Sequence, residues 1–406
     1  MTEADRSGLL LKLPASTIIT SPPPDTGLLQ TTRRRFEGWS RSGYARAAGL
    51  FLAVRVVSVA VLAGMSAYRN LPFGDRLRSW DGWWYLQIAE HNYAGVQNPL
   101  DIDGNAFADA PYGFFPLYPM LISLVGKTGL PLPAAGVVVS TLAGVAAACA
   151  LYRIGRLVAS PRAGLVLVVL WSGAPMAITE SMVYTEALFT ALAAWALVGV
   201  LERNWALAGV ATMFAGFTRS VACVLIVVVV FAAVLAAWRG ERRWPALGAA
   251  VLAPIGLVGY WGFVAARTGS WAGWQDIELR GWNTRFDWGR EAIEWIPRTL
   301  LRPDGAFPTL VALLVIAAVV LAVVSIRRLS WPLAAYGLGA LLLVLCSAGL
   351  PFAKVRFLLP AFVLLIPIAL GLAKRRKSTA VAVLAAYVLA GAWFSAYSLT
   401  VWKYAI

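Results

Sequence analysis

The sequence predicts an all-α polytopic transmembrane helical bundle, and three observations carry that prediction. Of 406 residues, 60% are hydrophobic and 14% are charged, against about 25% charged in an average soluble chain. Too few polar side chains remain to cover a water-facing surface. Mean hydropathy is +0.71, and the apolar residues fall in runs close to the ~20 that a spanning helix needs.

Those runs lie near 46–67, 135–156, 163–180, 184–201, 205–218, 220–238, 244–266, 309–326, 331–349, 353–373 and 379–402, and several are short. A further run, 113–130, is broken by Pro116 and Pro119. It fits a short span or a half-helix entering from the loop side, so about 11 to 13 helices are expected. Residues 205–218 and 220–238 are separated only by Phe217-Thr218-Arg219-Ser220, which fits either a tight hairpin or one long broken helix. Residues 1–45 hold Ser21-Pro22-Pro23-Pro24 and Arg33-Arg34-Arg35 without an apolar period. They read as a disordered basic cytoplasmic tail, ahead of a single transmembrane domain over 46–406. No internal repeat is visible.

A net charge of +15 raises the question of nucleic-acid binding, which needs a basic patch. The charge is instead spread over the tail and four short loops, at 153–162, 239–243, 327–328 and 374–377. Nucleic acid is therefore not an expected partner. The two long loops carry no basic excess: 68–112 has three bases against six acids, and 267–308 has six against six. Basic short loops mark the cytoplasmic side, which puts the N-terminus inside and both long loops outside. Arginine far outnumbers lysine in an Ala-, Val- and Gly-rich chain, which points to a GC-rich bacterial genome and so to a bacterial plasma membrane.

One histidine, His91, excludes a multi-His metal centre by counting. Cys149, Cys223 and Cys346 sit in apolar runs, as small buried hydrophobes do. Asp101-Ile102-Asp103 has an acid-x-acid spacing, but such acidic loops are commonly solvated and no metal is expected.

The segment Ser79-Trp80-Asp81-Gly82-Trp83-Trp84-Tyr85, continuing to Tyr93, opens the first long loop. At helical spacing it forms an aromatic amphipathic helix of the kind that lies at a membrane interface. Asp81 stands at its N-terminus, where the helix dipole favours a carboxylate. An N-cap and an interfacial tryptophan belt are the plain alternative. Pro111-Tyr112-Gly113-Phe114-Phe115-Pro116-Leu117-Tyr118-Pro119 then returns the chain to the bilayer.

These motifs, with Tyr184-Thr185-Glu186-Ala187-Leu188-Phe189 and Thr218-Arg219 following in order, resemble the PIG-V-type mannosyltransferases in their shorter bacterial form, glycosyltransferases of the GT-C class. The resemblance covers roughly residues 75–225, with Arg356-Phe357-Leu358-Leu359-Pro360 as its best later echo and Asn92 standing where the family usually has Gly. It implies a GT-C bundle, a polyprenyl-phosphate sugar donor, most often mannose, a membrane glycolipid or other outer-face acceptor, and Asp81 as catalytic base. No cofactor is implied beyond the lipid-linked donor, which is a substrate.

An inverting transfer needs a carboxylate to take the acceptor's proton, and the leaving phosphate needs fixed cations. Arg219, Lys354 and Arg356, charged residues at the edges of apolar runs, are the expected phosphate ligands, though each is equally placed to snorkel to headgroups. Glu186, Trp80, Tyr184 and His91 are the expected acceptor or sugar contacts, with Glu186 alternatively holding Arg219 or capping a helix. Arg55, inside the first run, calls for an acidic partner. The tryptophans of 267–308 read as a partly helical lid. A transporter or lipid flippase is the competing reading. It would place ionisable groups near the midplane on broken helices, whereas Asp81, Glu186, Arg219 and Arg356 fall toward one side.

Overall fold

The computed structural model describes residues 27–402 other than 304, together with Tyr404, with side chains from Ser42 onward. Its helices follow the apolar runs. They are α1 (Gly27–Tyr68), α2 (Phe73–Arg76), α3 (Asp81–His91), α4 (Leu117–Gly126), α5 (Leu132–Val158), α6 (Pro161–Ser172), α7 (Glu186–Leu201), α8 (Trp205–Gly216), α9 (Ala222–Trp238), α10 (Arg243–Leu252) and α11 (Ile255–Thr268). The second half adds α12 (Gly273–Trp282), β1 (Arg285–Phe286), α13 (Arg290–Leu301), α14 (Ala306–Arg328), α15 (Trp331–Leu345), β2 (Ser347–Ala348), α16 (Lys354–Phe357), α17 (Ile366–Ala373) and α18 (Lys377–Thr400).

The helix of the first apolar run begins at Gly27, well before residue 46, because no proline follows Pro24 in this stretch and Leu, Gln and Arg are good helix formers. The part of the expected tail over 1–26 lies outside the described residues. Gly43–Ile406 forms one compact unit, and the candidate site lies wholly within it.

Among the described residues, five elements are long and apolar enough to cross a membrane: Ser42–Tyr68, α5, the α10–α11 pair, α14 and α18. A sixth, Pro351–Phe357 with Leu359–Ala373, is bent by 64°. The remaining apolar helices are short. At 1.5 Å per residue the twelve residues of α8 extend only about 18 Å, against a hydrocarbon core of about 30 Å. The turns next to these short helices carry Tyr184 and Arg219, and Arg356 stands in the broken sixth element.

Both alternatives left open by the sequence resolve. The ten-residue α4 is a half-helix. Tyr118 in its first turn bonds Gly136 O at 3.1 Å and Ser140 Oγ at 2.7 Å, while Gly126 at its end meets Leu132, so it doubles back along the start of α5 without crossing. The α8–α9 pair is a hairpin, since an ion pair between Arg203 and Glu241 joins its open ends and Arg219 stands at its tip.

Polarity divides the two ends of the bundle. At one end the basic short loops meet: Arg153 pairs with Glu202, and Arg162 donates to Arg375 O at 2.6 Å. At the other the two long loops interlock, through Arg280 and Asp101 at 3.3 Å, Arg267 and Tyr112 OH at 3.0 Å, and Trp274 Nε1 and Gly113 O at 3.3 Å. Shared apolarity with lipid gives helices little reason to associate, so close packing of small residues does that work. Ala187, Ala193, Ala194 and Ala196 of α7 are all fully buried. Arg55 of α1 finds its acid in Glu180, at 3.7 Å, and donates to Ala177 O and Ser172 O, which fastens the turn leading to Tyr184.

Candidate active site

The site begins with a strained turn. Gly82 N donates to Ser79 O at 3.2 Å, closing a four-residue turn in which Trp80 adopts φ 57°, ψ −118°. This is the first central position of a type II′ turn, where glycine is favoured. A bulky residue there stores about 1–3 kcal/mol. The turn delivers Asp81 as the first residue of α3, aimed into the bundle, while Tyr184 OH donates to Ser79 O at 3.0 Å and holds the turn from below.

Three distant segments converge on Asp81. Arg356, at the bend before α17, donates through Nη1 to Asp81 Oδ2 at 2.7 Å. Its Nε lies 3.6 Å from Glu186 Oε1, and its guanidinium packs on the rings of Tyr184 and Phe357, at 5.2 and 4.7 Å. Arg219 donates to the same Glu186 oxygen at 2.7 Å and to Thr185 Oγ1 at 3.0 Å. Glu186 is thus a buried strut between two arginines. Exposure separates the roles: the Glu186 side chain is 0% exposed and that of Arg356 3%, whereas Asp81 keeps 26% and Arg219 18%. Asp81 and Arg219 are the charged groups of this cluster that a substrate can reach.

A cavity of about 520 Å³ joins them, lined by Asp81, Tyr85, Arg219 and Arg356 together with Trp261, Trp274, Glu278 and Trp282. Its roof is the second long loop. Two backbone pairings tie that loop to the end of α15, Arg285 with Ala348 and Phe286 with Ser347. Gly349 N donates to Glu291 Oε1 at 3.0 Å. Gly349 has φ +111°, and a Cβ there would lie 2.4 Å from Asn283 O, so this clasp requires glycine. Within the same loop α13 exposes Ile293 and Leu301, the apolar face of an interfacial helix.

Of the expected site residues, Asp81, Arg219 and Arg356 come together at the cavity, with Glu186 and Tyr184 packed directly behind them. Three do not reach it. Lys354 is buried with its Nζ spent on Val344 O at 3.1 Å, Ser347 O at 2.5 Å and Glu291 at 3.5 Å, so it supports the roof and does not line the cavity. His91 is exposed at the far end of α3, 3.7 Å from Glu90. The Trp80 ring is 43% exposed on the outside of the turn, and Trp84 is the tryptophan of that helix that packs inward, stacked on Phe114 at 5.4 Å. Asp101 is likewise occupied. The N–H groups of Asn105 and Asp103 and the Arg280 side chain bond its carboxylate, the first of these chiefly holding it below the usual carboxylate range.

Glu278 does not stand out in the sequence, because it sits in a loop of balanced charge. The available signal was spacing: Trp274, Glu278 and Trp282 recur every four residues, one face of a helix, and all three line the cavity.

An all-α multi-pass integral membrane bundle with a carboxylate and paired guanidinium groups at an internal cavity defines the class of the protein as a membrane-embedded enzyme. The model of glycosyltransferase family 87 matches residues 112–348, more than half of the chain, and the chain belongs to that family. The GT-C-like glycosyltransferase reading holds at this level, and the transporter or flippase reading gives way to it. Among curated proteins, none matches the chain. The matched region contains the Phe-Pro-Leu-Tyr-Pro, Tyr-Thr-Glu and Thr-Arg motifs, while Asp81 and Arg356 flank it on either side.

Proposed function

We propose that this chain is an inverting, metal-independent mannosyltransferase that moves a sugar from a polyprenyl-phosphate donor to a lipid-linked acceptor on the extracytoplasmic face of a bacterial plasma membrane. The observation that carries this reading is the joint exposure of Asp81 and Arg219 to one cavity, with Arg356 bonded to Asp81 behind them. Mannose rests on the motif resemblance to the PIG-V-type enzymes.

In the proposed reaction the acceptor hydroxyl oxygen bonds to the sugar C1 while the C1–O bond to phosphate breaks. The phosphate leaves with the electron pair. Asp81 takes the hydroxyl proton on Oδ1, the oxygen not engaged by Arg356, as a general base contributing about 10²–10⁴-fold. Arg219 is the guanidinium open to the phosphate, and a planar fork suits that ligand. Phosphate is a stable leaving group, so cations suffice where other transfers need an acid. The tryptophan-lined roof supplies faces on which sugar rings stack.

The test uses purified protein in nanodiscs with a membrane lipid extract as acceptor and three radiolabelled donors: polyprenyl-phosphate mannose, polyprenyl-phosphate glucose and a nucleotide-linked mannose, each with and without EDTA. Transfer from the polyprenyl-phosphate mannose, indifferent to EDTA, is expected. Transfer from the nucleotide sugar alone would overturn the donor class, preference for glucose would overturn the sugar, and loss of transfer in EDTA would overturn metal independence.

A further inference from the structure

Part of the wall of the cavity is formed by α12, and its position is tightly set. Ile277 is buried against Phe107, Tyr112 and Phe115. Arg280 lies over the Phe107 ring at 4.2 Å and bonds Asp101. Gly113 passes so close beneath α12 that a Cβ on it would lie 2.8 Å from Trp282 Cζ3 and 3.3 Å from Glu278 Oε1. Asn283, in the left-handed conformation at φ 53°, ends the helix, and Thr284 N returns to Glu278 O at 3.1 Å.

This scaffold holds one carboxyl group in the cavity, half-buried between two tryptophans. Among the described residues its side chain makes no hydrogen bond and no ion pair. That contrasts with Glu186 and Asp81, each bonded to arginine. A half-buried carboxyl that lines the cavity and has no protein partner is free to meet a ligand atom there.

We propose that Glu278 is a second catalytic residue, a carboxyl that lines the same cavity as Asp81 and gives a hydrogen bond to a phosphate oxygen of the bound donor. The inference rests on the lipid-phosphate reading of the donor. Two features keep the proton on it. Burial comes first and the negative charge of Asp81 second, and together they push Glu278 up to about 8, with Arg219 partly offsetting them. The other charged or titratable groups on this cavity are Arg356, Arg285, Asp276, Tyr85 and Cys223, with Tyr260 close to Glu278 from α11. Arg267 and Arg280 are occupied by Tyr112 and Asp101.

In this arrangement two carboxyl groups divide the work, as environments that separate two such groups allow. Asp81 receives the acceptor's proton. Glu278 keeps its own and donates a hydrogen bond, so no proton is transferred at the phosphate. Ionised, the same side chain would repel the donor's phosphate and compete for Arg219.

The test is steady-state transfer by the full chain in nanodiscs from pH 6 to pH 9.5, with polyprenyl-phosphate mannose varied, for wild type, Glu278→Gln and Glu278→Ala, after matched thermal melts. For wild type, kcat/KM for donor should fall about tenfold per pH unit above about 8. Glu278→Gln still donates from its amide. It should stay within about tenfold of wild type at pH 7 and lose that alkaline fall. Glu278→Ala should lose about 10–100-fold, mainly in donor KM, as removal of a hydrogen bond to a charged group does. A wild-type KM and an unchanged alkaline fall in Glu278→Ala would overturn the proposal, and a Gln variant as inactive as Ala would overturn the donating role. Wild type that uses no lipid-phosphate donor would instead remove the reading on which the proposal rests, and the proposal with it.

Discussion

Replacing Arg356 by methionine should uncouple the centre of the site. Its guanidinium is 3% exposed and reaches Asp81 Oδ2 at 2.7 Å and Glu186 Oε1 at 3.6 Å. Removing one partner of a buried pair costs about 3–5 kcal/mol because the other charge stays behind. Here two facts reduce that figure: Asp81 is 26% exposed to the cavity, and Glu186 keeps Arg219 at 2.7 Å. A destabilisation of about 2–3 kcal/mol is therefore expected. Asp81→Asn removes the same hydrogen bond from the other side. The double variant should be less destabilised than the sum of the singles by about 1.5–3 kcal/mol, the value of a charge-assisted hydrogen bond. Reversible unfolding in mixed micelles of wild type, both singles and the double measures this. Additivity within about 0.5 kcal/mol, the behaviour of independent sites, would refute the coupling. Transfer by Arg356→Met should drop about 10²–10³-fold, chiefly in kcat, as loss of a fixed electrostatic group at a reaction centre does.

Lys354→Met should lower the melting temperature and raise amide exchange over 285–301 while leaving donor KM unchanged, because Nζ ties Glu291 of the roof to Val344 O and Ser347 O at the end of α15; a KM raised without loss of stability would return Lys354 to the phosphate. Gly349→Ala forces a Cβ to 2.4 Å from Asn283 O at φ +111°, so about 1–3 kcal/mol of strain should open the β1–β2 clasp, read as faster limited proteolysis of the second long loop. Glu278 ionises near 4.5 when exposed and near 8 in the folded protein. The folded state therefore binds more protons between those values, and its stability should fall as pH rises through that window. Glu278→Gln should abolish this component, seen as a flatter unfolding free energy between pH 5 and 8.

The apolar runs were legible because lipid demands long hydrophobic helices with internally satisfied backbones. The half-helix α4 announced itself through Pro116 and Pro119, and the arginine at the α8–α9 tip through its isolation between two apolar runs. Pairing was legible only in part, as the alternative that Glu186 holds Arg219. Glu186 joins Arg219 and Arg356, residues far from it in sequence, and nothing in local spacing says that one buried carboxylate serves two arginines. Lys354 and Arg356 looked alike in the sequence. They diverge because both lie on the single turn α16, where 3.6 residues per turn set residues two apart about 200° around the axis. Asp81 was readable from its motif, but the type II′ turn that aims it was not, since tryptophan rarely adopts φ 57°.

If Asp81 takes the acceptor's proton within a cavity whose cation meets the donor's phosphate, the most direct test is single-turnover transfer from polyprenyl-phosphate mannose by wild type and Asp81→Asn, with donor binding measured in parallel. Asparagine keeps size and removes the base. The chemical step should slow about 10²–10⁴-fold while donor affinity, to which Arg219 contributes, is retained. Equal transfer rates for the two proteins would contradict that role for Asp81.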